Sequence, residues 1–293
     1  MNQASARIGD KTIQLQQPFG GDLGKCIGRN KEIKKVLAAW MDGSAALPMS
    51  PLLIGPAGQG KNRVVYECAR LCQKPLYIIQ GNEDISAESL ICIGRISDDA
   101  NKKVDYIASS LVSAMILGGI CFIDEIAKMR PMAMAPLASV LDERRSIKSE
   151  LLGEEIQAHP AFRFIAATNH SDLDFQPLSE FLDSRLCLKI PVNCPDPKDI
   201  DAILKARFKP LNGNTTKILN CFWSLWRKNM KDQPANPRDI VQLFGFAMNL
   251  ADLEALGGNP TRACCAHRFG TLQDRHLEEA FDSMFGVKKG LSS

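Results

Sequence analysis

A glycine-rich loop between an apolar run and a helical pattern constrains this chain more than any other stretch. Residues 51–54 are apolar, residues 55–61 fit G-x-x-x-x-G-K, and apolar residues then recur at helical spacing from Val64 to Cys72. This order predicts a strand, a phosphate-binding loop and a helix. Glycines let the backbone approach phosphate closely, while loop N–H groups, the positive end of the helix and the lysine attract its charge.

One residue departs from the usual form of this loop. Asn62 stands where Ser or Thr normally offers a hydroxyl to Mg²⁺. An amide carbonyl oxygen is also a hard ligand, so we expect Asn62 to bind magnesium less tightly than a hydroxyl would. The predicted nucleotide-binding residues here are Gly55, Pro56, Ala57, Gly58, Gln59, Gly60, Lys61, Asn62 and Arg63.

Composition indicates an ordinary globular chain in a reducing compartment. The 293 residues suit one large domain or two moderate ones, and the net charge of +3 is too small to indicate nucleic acid or membrane binding. The ten cysteines include no C-x-x-C pair, and residues 1–17 lack the apolar core of a signal peptide, which predicts a cytoplasmic location. Cys264, Cys265 and His267 are weak candidates for metal ligands.

Polar residues follow two predicted buried strands. Residues 120–123 are continuously apolar and are followed by Asp124 and Glu125, while the strand at 162–169 ends in Asn169. Further strands are predicted at 76–79 and 186–190. Open parallel sheets bind ligands at the carboxyl ends of their strands, so we expect these side chains to meet the phosphate loop there.

The remaining segments before residue 191 carry weaker patterns. Residues 1–23 are predicted to be an N-terminal arm or a first strand, 86–93 a short helix and 94–105 a polar loop. A helix is predicted to begin at Pro131 and to bury Leu137, Val140 and Leu141. Residues 146–160 alternate on both sides of Gly153, which is typical of a hairpin.

A proline-rich stretch at 191–197 marks a domain boundary, beyond which the pattern is helical only. We predict an α/β nucleotide-binding domain at 24–195 and an all-helical lid domain at 196–293. One lid helix is expected to start at Pro237 with Asn236 as its cap. Arg238 then lies in its first turn, where the helix dipole disfavours a cation, and this suggests an external anionic partner.

These features in this order resemble the AAA+ ATPases, and more narrowly their MoxR-type branch. The resemblance rests on the phosphate loop, the segment Phe122-Ile123-Asp124-Glu125-Ile126, the hairpin inserted before residues 162–169, and the segments 178–186 and 236–239. It covers about residues 24–250. It implies a parallel P-loop sheet flanked by helices, followed by a helical lid. Ala127 departs from it, because many MoxR-type chains have Asn there.

The resemblance implies roles for single residues. Asp124 would hold Mg²⁺, Glu125 would deprotonate the attacking water, and Asn169 would help to fix that water. Ile27 and Gly28 would belong to the segment that contacts adenine. Arg185 would be the arginine finger, and Arg238 would be the sensor-2 arginine. Each of these roles has a structural alternative. Arg185 could instead form an ion pair with Asp183, and Asp124 and Glu125 could instead cap the helix that follows them.

The resemblance also implies ATP and Mg²⁺ as cofactors, a homo-oligomeric ring that is commonly a hexamer, and a partner protein with a von Willebrand A domain. The expected function is ATP-driven remodelling of that partner. Two alternatives stay open: a nucleotide-dependent switch or scaffold with little turnover, suggested by Asn62, and a nucleic-acid motor that uses the hairpin. The hairpin contains Lys148 but also three glutamates, which argues against tracking a phosphate backbone.

Overall fold

The chain divides into two compact units, Met1–Asn193 and Cys194–Ser293. The computed structural model describes residues 4–21, 25–41, 47–97, 103–208, 215–231, 233–257 and 271–286.

The first unit mixes strands and helices. Its strands are β1 (Ser5–Ile8), β2 (Lys11–Gln14), β3 (Leu52–Ile54), β4 (Leu76–Gln80), β5 (Cys92–Ile96), β6 (Val104–Ala108), β7 (Ile120–Asp124), β8 (Ser146–Ser149), β9 (Glu154–Gln157), β10 (Arg163–Thr168) and β11 (Lys189–Pro191). Its helices are α1 (Asn30–Ala39), α2 (Lys61–Cys72), α3 (Ser110–Leu117), α4 (Pro131–Met134), α5 (Leu137–Val140), α6 (His170–Phe175) and α7 (Glu180–Arg185), with a 3₁₀ turn at Ile126–Lys128.

A five-stranded parallel sheet in the order β11-β3-β10-β7-β4 forms the centre of this unit. Residues 120–123 of β7 and all of β10 are buried, as expected for strands covered on both faces. Thr168 pairs with Ile54, and Asp124 pairs with Gln80, so these strands end level with one another. The predicted fold class, a parallel sheet flanked by helices and followed by a helical region, is confirmed.

The strands of a second sheet lie in the order β1-β2-β6-β5, and the structures predicted for two segments in or next to this sheet are wrong. Residues 86–91 form turns rather than a helix. The backbone N–H groups of Ser86 and Ser89 each donate to the hydroxyl oxygen of the other serine, and these hydrogen bonds compete with those of a helix. The supposed loop at 94–105 contributes to β5 and β6, which pair antiparallel. Residues 5–14 of the N-terminal segment form the hairpin β1–β2, and β2 joins β6.

The helix predicted from Pro131 is interrupted. It forms as α4 and α5, separated by a turn at Ala135 and Pro136. Proline lacks the N–H that would continue the hydrogen-bond ladder, and its ring clashes with the preceding turn. The predicted hairpin is confirmed as β8–β9, with Gly153 at φ 71° in its turn.

The second unit is helical in its described residues, with α8 (Pro197–Arg207), α9 (Thr215–Met230), α10 (Pro237–Ala255) and α11 (Asp274–Phe285). Aliphatic and aromatic side chains form its core, in which the rings of Phe222 and Phe244 meet edge to face at 5.3 Å. The predicted cap is confirmed, because Asn236 Oδ1 accepts a hydrogen bond of 3.0 Å from the Arg238 N–H. In the part of the chain that the structure describes, no helix has the length and apolar character needed to cross a membrane.

Gly55 makes the closest backbone approach at the start of the phosphate loop. A Cβ at this position would lie 2.1 Å from the Val192 carbonyl oxygen, so we expect Gly55→Ala to destabilise the first unit by roughly 1–3 kcal/mol. Gly245→Ala is the matched control. Gly245 lies inside α10, the described residues place no atom beyond the helix's own backbone within 4 Å of the added methyl, and alanine favours helix. Urea unfolding should separate the two variants, and an unchanged Gly55→Ala midpoint would contradict this packing argument.

Candidate active site

The phosphate loop has the backbone conformation that its glycines predict. Gly58 and Gly60 have φ of 81° and 85°, in the left-handed region that other residues avoid. Gly60 lies directly before α2, whose first N–H groups have no partner within the helix. A helix of 12 residues therefore points its positive end into the loop, which is the usual arrangement for binding phosphate.

Lys61 connects this loop to the end of β10. Its side chain is buried, and Nζ donates to the carbonyl oxygens of Gly55 at 2.7 Å and Pro56 at 3.0 Å and to Asn169 Oδ1 at 2.7 Å. These contacts can use all three hydrogens of the ammonium group. Asn169 Nδ2 in turn donates to Asp172 Oδ2 at 2.8 Å, which leaves the amide oxygen facing Lys61.

Asn62 and Asp124, the two predicted magnesium ligands, contact each other. Asn62 Nδ2 donates to Asp124 Oδ2 at 2.7 Å. An ionised carboxylate only accepts hydrogen bonds, so the amide nitrogen must face it. Burial raises the pKa of the neighbouring Tyr66, and its hydrogen bond with Asn62 opposes that effect. Carboxylate and amide oxygens suit Mg²⁺, but Asn62 would have to turn its amide to offer its oxygen.

Glu125 follows β7 in a strained conformation. Its φ of 57° is rare for a residue other than glycine, and such strain is concentrated at functional sites. Its carboxylate oxygen Oε2 accepts a hydrogen bond of 2.7 Å from Gln80 Nε2 and lies 2.9 Å from Lys128 Nζ. Gly81 allows this turn, since a Cβ there would lie 2.5 Å from the Glu125 carbonyl oxygen.

The predicted adenine segment, Ile27 and Gly28, is tied to the phosphate loop by the next residue. Gly28 has φ 74°, and the buried Arg29 donates from Nη2 to the Gln59 carbonyl oxygen at 2.7 Å. Arg29 also pairs with Glu32 at 3.3 Å. A segment far from the loop in sequence is thus fixed beside it.

Arg185 lies among residues of its own chain. It donates to the carbonyl oxygens of Ala138 and Phe181, both at 2.8 Å, and pairs with Asp142 at 3.3 Å. The predicted alternative, an ion pair between Arg185 and Asp183, is wrong, because Asp183 pairs with Lys189 at 2.8 Å. Hydrogen bonds from Arg144 first, and then from Arg185, lower the pKa of Asp142 to about 2.

Two other predicted residues lie in the first turns of helices. Arg63 is partly buried in the first turn of α2, and Arg238 is exposed in the first turn of α10, in the second unit. Cys264, Cys265 and His267 lie outside the described residues. Within those residues, His, Cys, Asp and Glu side chains form no group of three that could hold a metal.

Sequence patterns did not indicate Arg29, Gln80, Lys128 and Asp172, which contact predicted site residues or the phosphate loop. Three of them lie within three residues of a predicted site residue. Closeness in sequence to a predicted site residue could therefore have indicated Arg29, Lys128 and Asp172. Gln80 lies on β4, beside β7, and only the strand pairing reveals it.

The comparisons with known proteins agree with this geometry. Residues 50–186 match the AAA domain family of the dynein-related subfamily. An uncharacterized protein of Staphylococcus epidermidis is 30% identical over 160 residues, covering 54% of this chain and 60% of the relative. An uncharacterized protein of Staphylococcus saprophyticus is 33% identical over 136 residues, covering 46% of this chain and 52% of that relative. The chain therefore spans 52% to 60% of the length of these two relatives.

Solved structures show the same fold at low sequence identity. A mutant of RuvB from Thermotoga maritima superposes with a TM-score of 0.57 at 18% identity, covering 88% of this chain and 71% of RuvB. The RuvB Holliday junction branch migration motor of that organism superposes with a TM-score of 0.55 at 17% sequence identity. The match covers 88% of this chain and 70% of that chain. At this identity the likeness concerns the fold alone. The MoxR-type assignment stays a prediction. The sheet order, the phosphate loop and the match of residues 50–186 to the dynein-related AAA domain model agree on an AAA+ fold.

Proposed function

We propose that the chain binds ATP with Mg²⁺ and hydrolyses it to ADP and phosphate, and that this cycle remodels a partner protein, as in the MoxR-type ATPases. The observation that carries the proposal is the convergence of three strand ends. Hydrogen bonds of 2.7 Å join Lys61 to Asn169 and Asn62 to Asp124, and so connect the segment that follows β3 with the ends of β10 and β7.

The proposed site has a place for each part of the nucleotide. The loop amides and the start of α2 bind the phosphates, and Lys61 exchanges its carbonyl partners for phosphate oxygens. Ile27 and Gly28 contact the adenine. Asp124 and Asn62 would hold magnesium, which when bound would offset the negative charge of the phosphates.

Turnover then depends on Glu125 and Asn169. Glu125 accepts the proton of the attacking water, and Asn169 fixes that water. The Asn169 amide now faces Lys61 and Asp172, so nucleotide binding has to release part of this network before Asn169 can reach the water.

We propose that the active form is a homo-oligomeric ring, commonly a hexamer, in which Arg185 reaches the γ-phosphate held by its neighbour and Arg238 acts as the sensor-2 arginine. Arg185 must leave Asp142 to do so, and that contact is partly exposed. The expected partner is a protein with a von Willebrand A domain, and the expected location is the cytoplasm.

A nucleotide-dependent switch with little turnover is the second candidate. The hydrogen bond between Asn62 and Asp124 favours it, because magnesium binding must compete with this pair. A phosphate-release assay with and without Mg²⁺ separates the two candidates. ATP binding without phosphate release would favour the switch, and stimulation of release by DNA or RNA would revive the nucleic-acid motor.

Asn62→Thr should strengthen magnesium binding. A threonine hydroxyl can bind the ion and leaves Asp124 free, so we expect the magnesium concentration for half-maximal phosphate release to fall about tenfold, a gain near 1.4 kcal/mol. Magnesium titration of a fluorescent ATP analogue gives a second readout that does not require turnover. The wild type should hydrolyse ATP slowly, at a rate that rises with magnesium concentration.

Asn220→Thr is the matched control, since Asn220 is exposed on α9 in the second unit. It should leave both magnesium curves unchanged. Rapid hydrolysis by the wild type that saturates at micromolar magnesium would contradict the argument about Asn62.

A further inference from the structure

The carboxylate of Glu125 is held by one of its two oxygens. Oε2 accepts a hydrogen bond of 2.7 Å from the Gln80 amide and forms an ion pair with the Lys128 ammonium group at 2.9 Å. Among the described residues, Oε1 has no hydrogen-bond partner. One oxygen is therefore anchored, and the other is left to accept a proton.

Local backbone geometry explains why Lys128 lies there. Glu125 is the left-handed residue that precedes the 3₁₀ turn, and the Lys128 N–H donates to the Glu125 carbonyl oxygen at 2.9 Å. Side chains three residues apart eclipse each other in a 3₁₀ turn, which places the ammonium over the carboxylate. The same backbone strain that turns Glu125 away from β7 therefore also sets its ion pair.

The surrounding charges keep Lys128 a cation. The hydrogen bond with Glu125 raises the pKa of Lys128. Burial opposes this rise, and the charges of Glu125, Asp172 and Asp124 add to it. Lys128 is therefore a fixed positive charge beside three acidic side chains of the candidate site.

We infer that Lys128 is a positioning residue for Glu125, which anchors Oε2 so that Oε1 is presented to the attacking water. This inference rests on the proposed ATPase function, because it assigns Glu125 the role of base. Lys128 itself contacts neither the nucleotide nor the water in this role. Without it, the carboxylate keeps only the Gln80 amide and samples other rotamers.

We expect Lys128→Met to lower kcat about tenfold while KM for ATP and nucleotide affinity stay unchanged, because ground-state binding does not use this ion pair. The expected loss is modest, since Lys128 and Glu125 are 45% and 31% exposed. Lys128→Arg keeps the charge and should retain most of the wild-type kcat. Lys34→Met, which removes an exposed lysine of α1, is the matched control and should have no effect.

A second readout needs no nucleotide. Carbodiimide labelling of carboxylates, read by mass spectrometry, should modify Glu125 several-fold faster in Lys128→Met than in the wild type, with Asp183 as an internal reference. Thermal denaturation of each variant checks the fold. Unchanged kcat in Lys128→Met, equally slow turnover in the methionine and arginine variants, or loss of nucleotide affinity together with thermal stability would each overturn the inference.

These outcomes differ from failure of the proposed function. If the wild type binds ATP and releases no phosphate, the ATPase proposal fails, and the positioning role fails with it. If the wild type hydrolyses ATP and Lys128→Met matches it, only the role of Lys128 is lost.

Discussion

Lys61→Ala is expected to weaken ATP binding by about a hundredfold or more, whereas Glu125→Gln is expected to keep binding and to lower turnover by about 10²- to 10⁴-fold. The reason is the different contact that each side chain makes. Lys61 is a buried cation at the start of α2, positioned to bind phosphate, and Glu125 supplies a carboxylate base. Replacing the carboxylate by an amide preserves shape and removes basicity.

Titration of a fluorescent ATP analogue and phosphate release measure the two effects separately. Lys35→Ala, on the exposed face of α1, controls for the loss of one positive charge. Because Lys61 also holds two loop carbonyl oxygens, thermal denaturation of Lys61→Ala must show a folded chain. Equal loss of ATP binding in both variants would show that Glu125 is structural.

Mixing inactive Arg185→Ala chains with inactive Glu125→Gln chains should restore part of the activity. A site formed between subunits needs an intact Glu125 on one chain and an intact Arg185 on the next. In an equal random mixture about a quarter of the interfaces of a ring meet this condition. Removing an arginine that stabilises the transferred phosphoryl group typically costs about 10³-fold or more, so the recovery should be large relative to either variant alone.

The contacts of Arg185 within its own chain define the control. Asp142→Asn removes the carboxylate partner and leaves the guanidinium in place. If Arg185 acts as a finger, this variant keeps its turnover. No recovery at any mixing ratio, in assemblies shown to be mixed, would exclude a site between subunits and leave Arg185 as a structural residue paired with Asp142.

The parts of the site that the sequence predicts are those governed by chain order. A loop of fixed spacing after an apolar run, and polar residues after buried strands, meet at one edge because parallel strands point the same way. This reasoning predicts that Lys61, Asn169, Asn62 and Asp124 lie near one another, and the structure joins them in two hydrogen-bonded pairs.

The parts that sequence reasoning missed depend on contacts that no local pattern encodes. Asn62 was expected to offer an oxygen, and it donates its amide hydrogen because an acidic side chain from another strand lies within reach. The partner of Arg185 lies 43 residues away on the segment after α5, whereas the expected partner was two residues away. Residues 86–96 were assigned wrongly because strand β5 is defined by its pairing with β6.

The pairing of β2 with β6 has a consequence for how the first unit assembles. Ile13 lies opposite Tyr106, and the Gln16 N–H bonds to Ser113 Oγ, a contact that spans 97 residues. Closing so long a loop costs entropy before any contact compensates for it, and parallel pairing between distant segments is slow. During synthesis the hairpin β1–β2 emerges well before β6, so it cannot pair with that strand until the chain has been extended beyond Ala108. We therefore expect the hairpin β1–β2 to be among the last elements of this unit to reach its native partners.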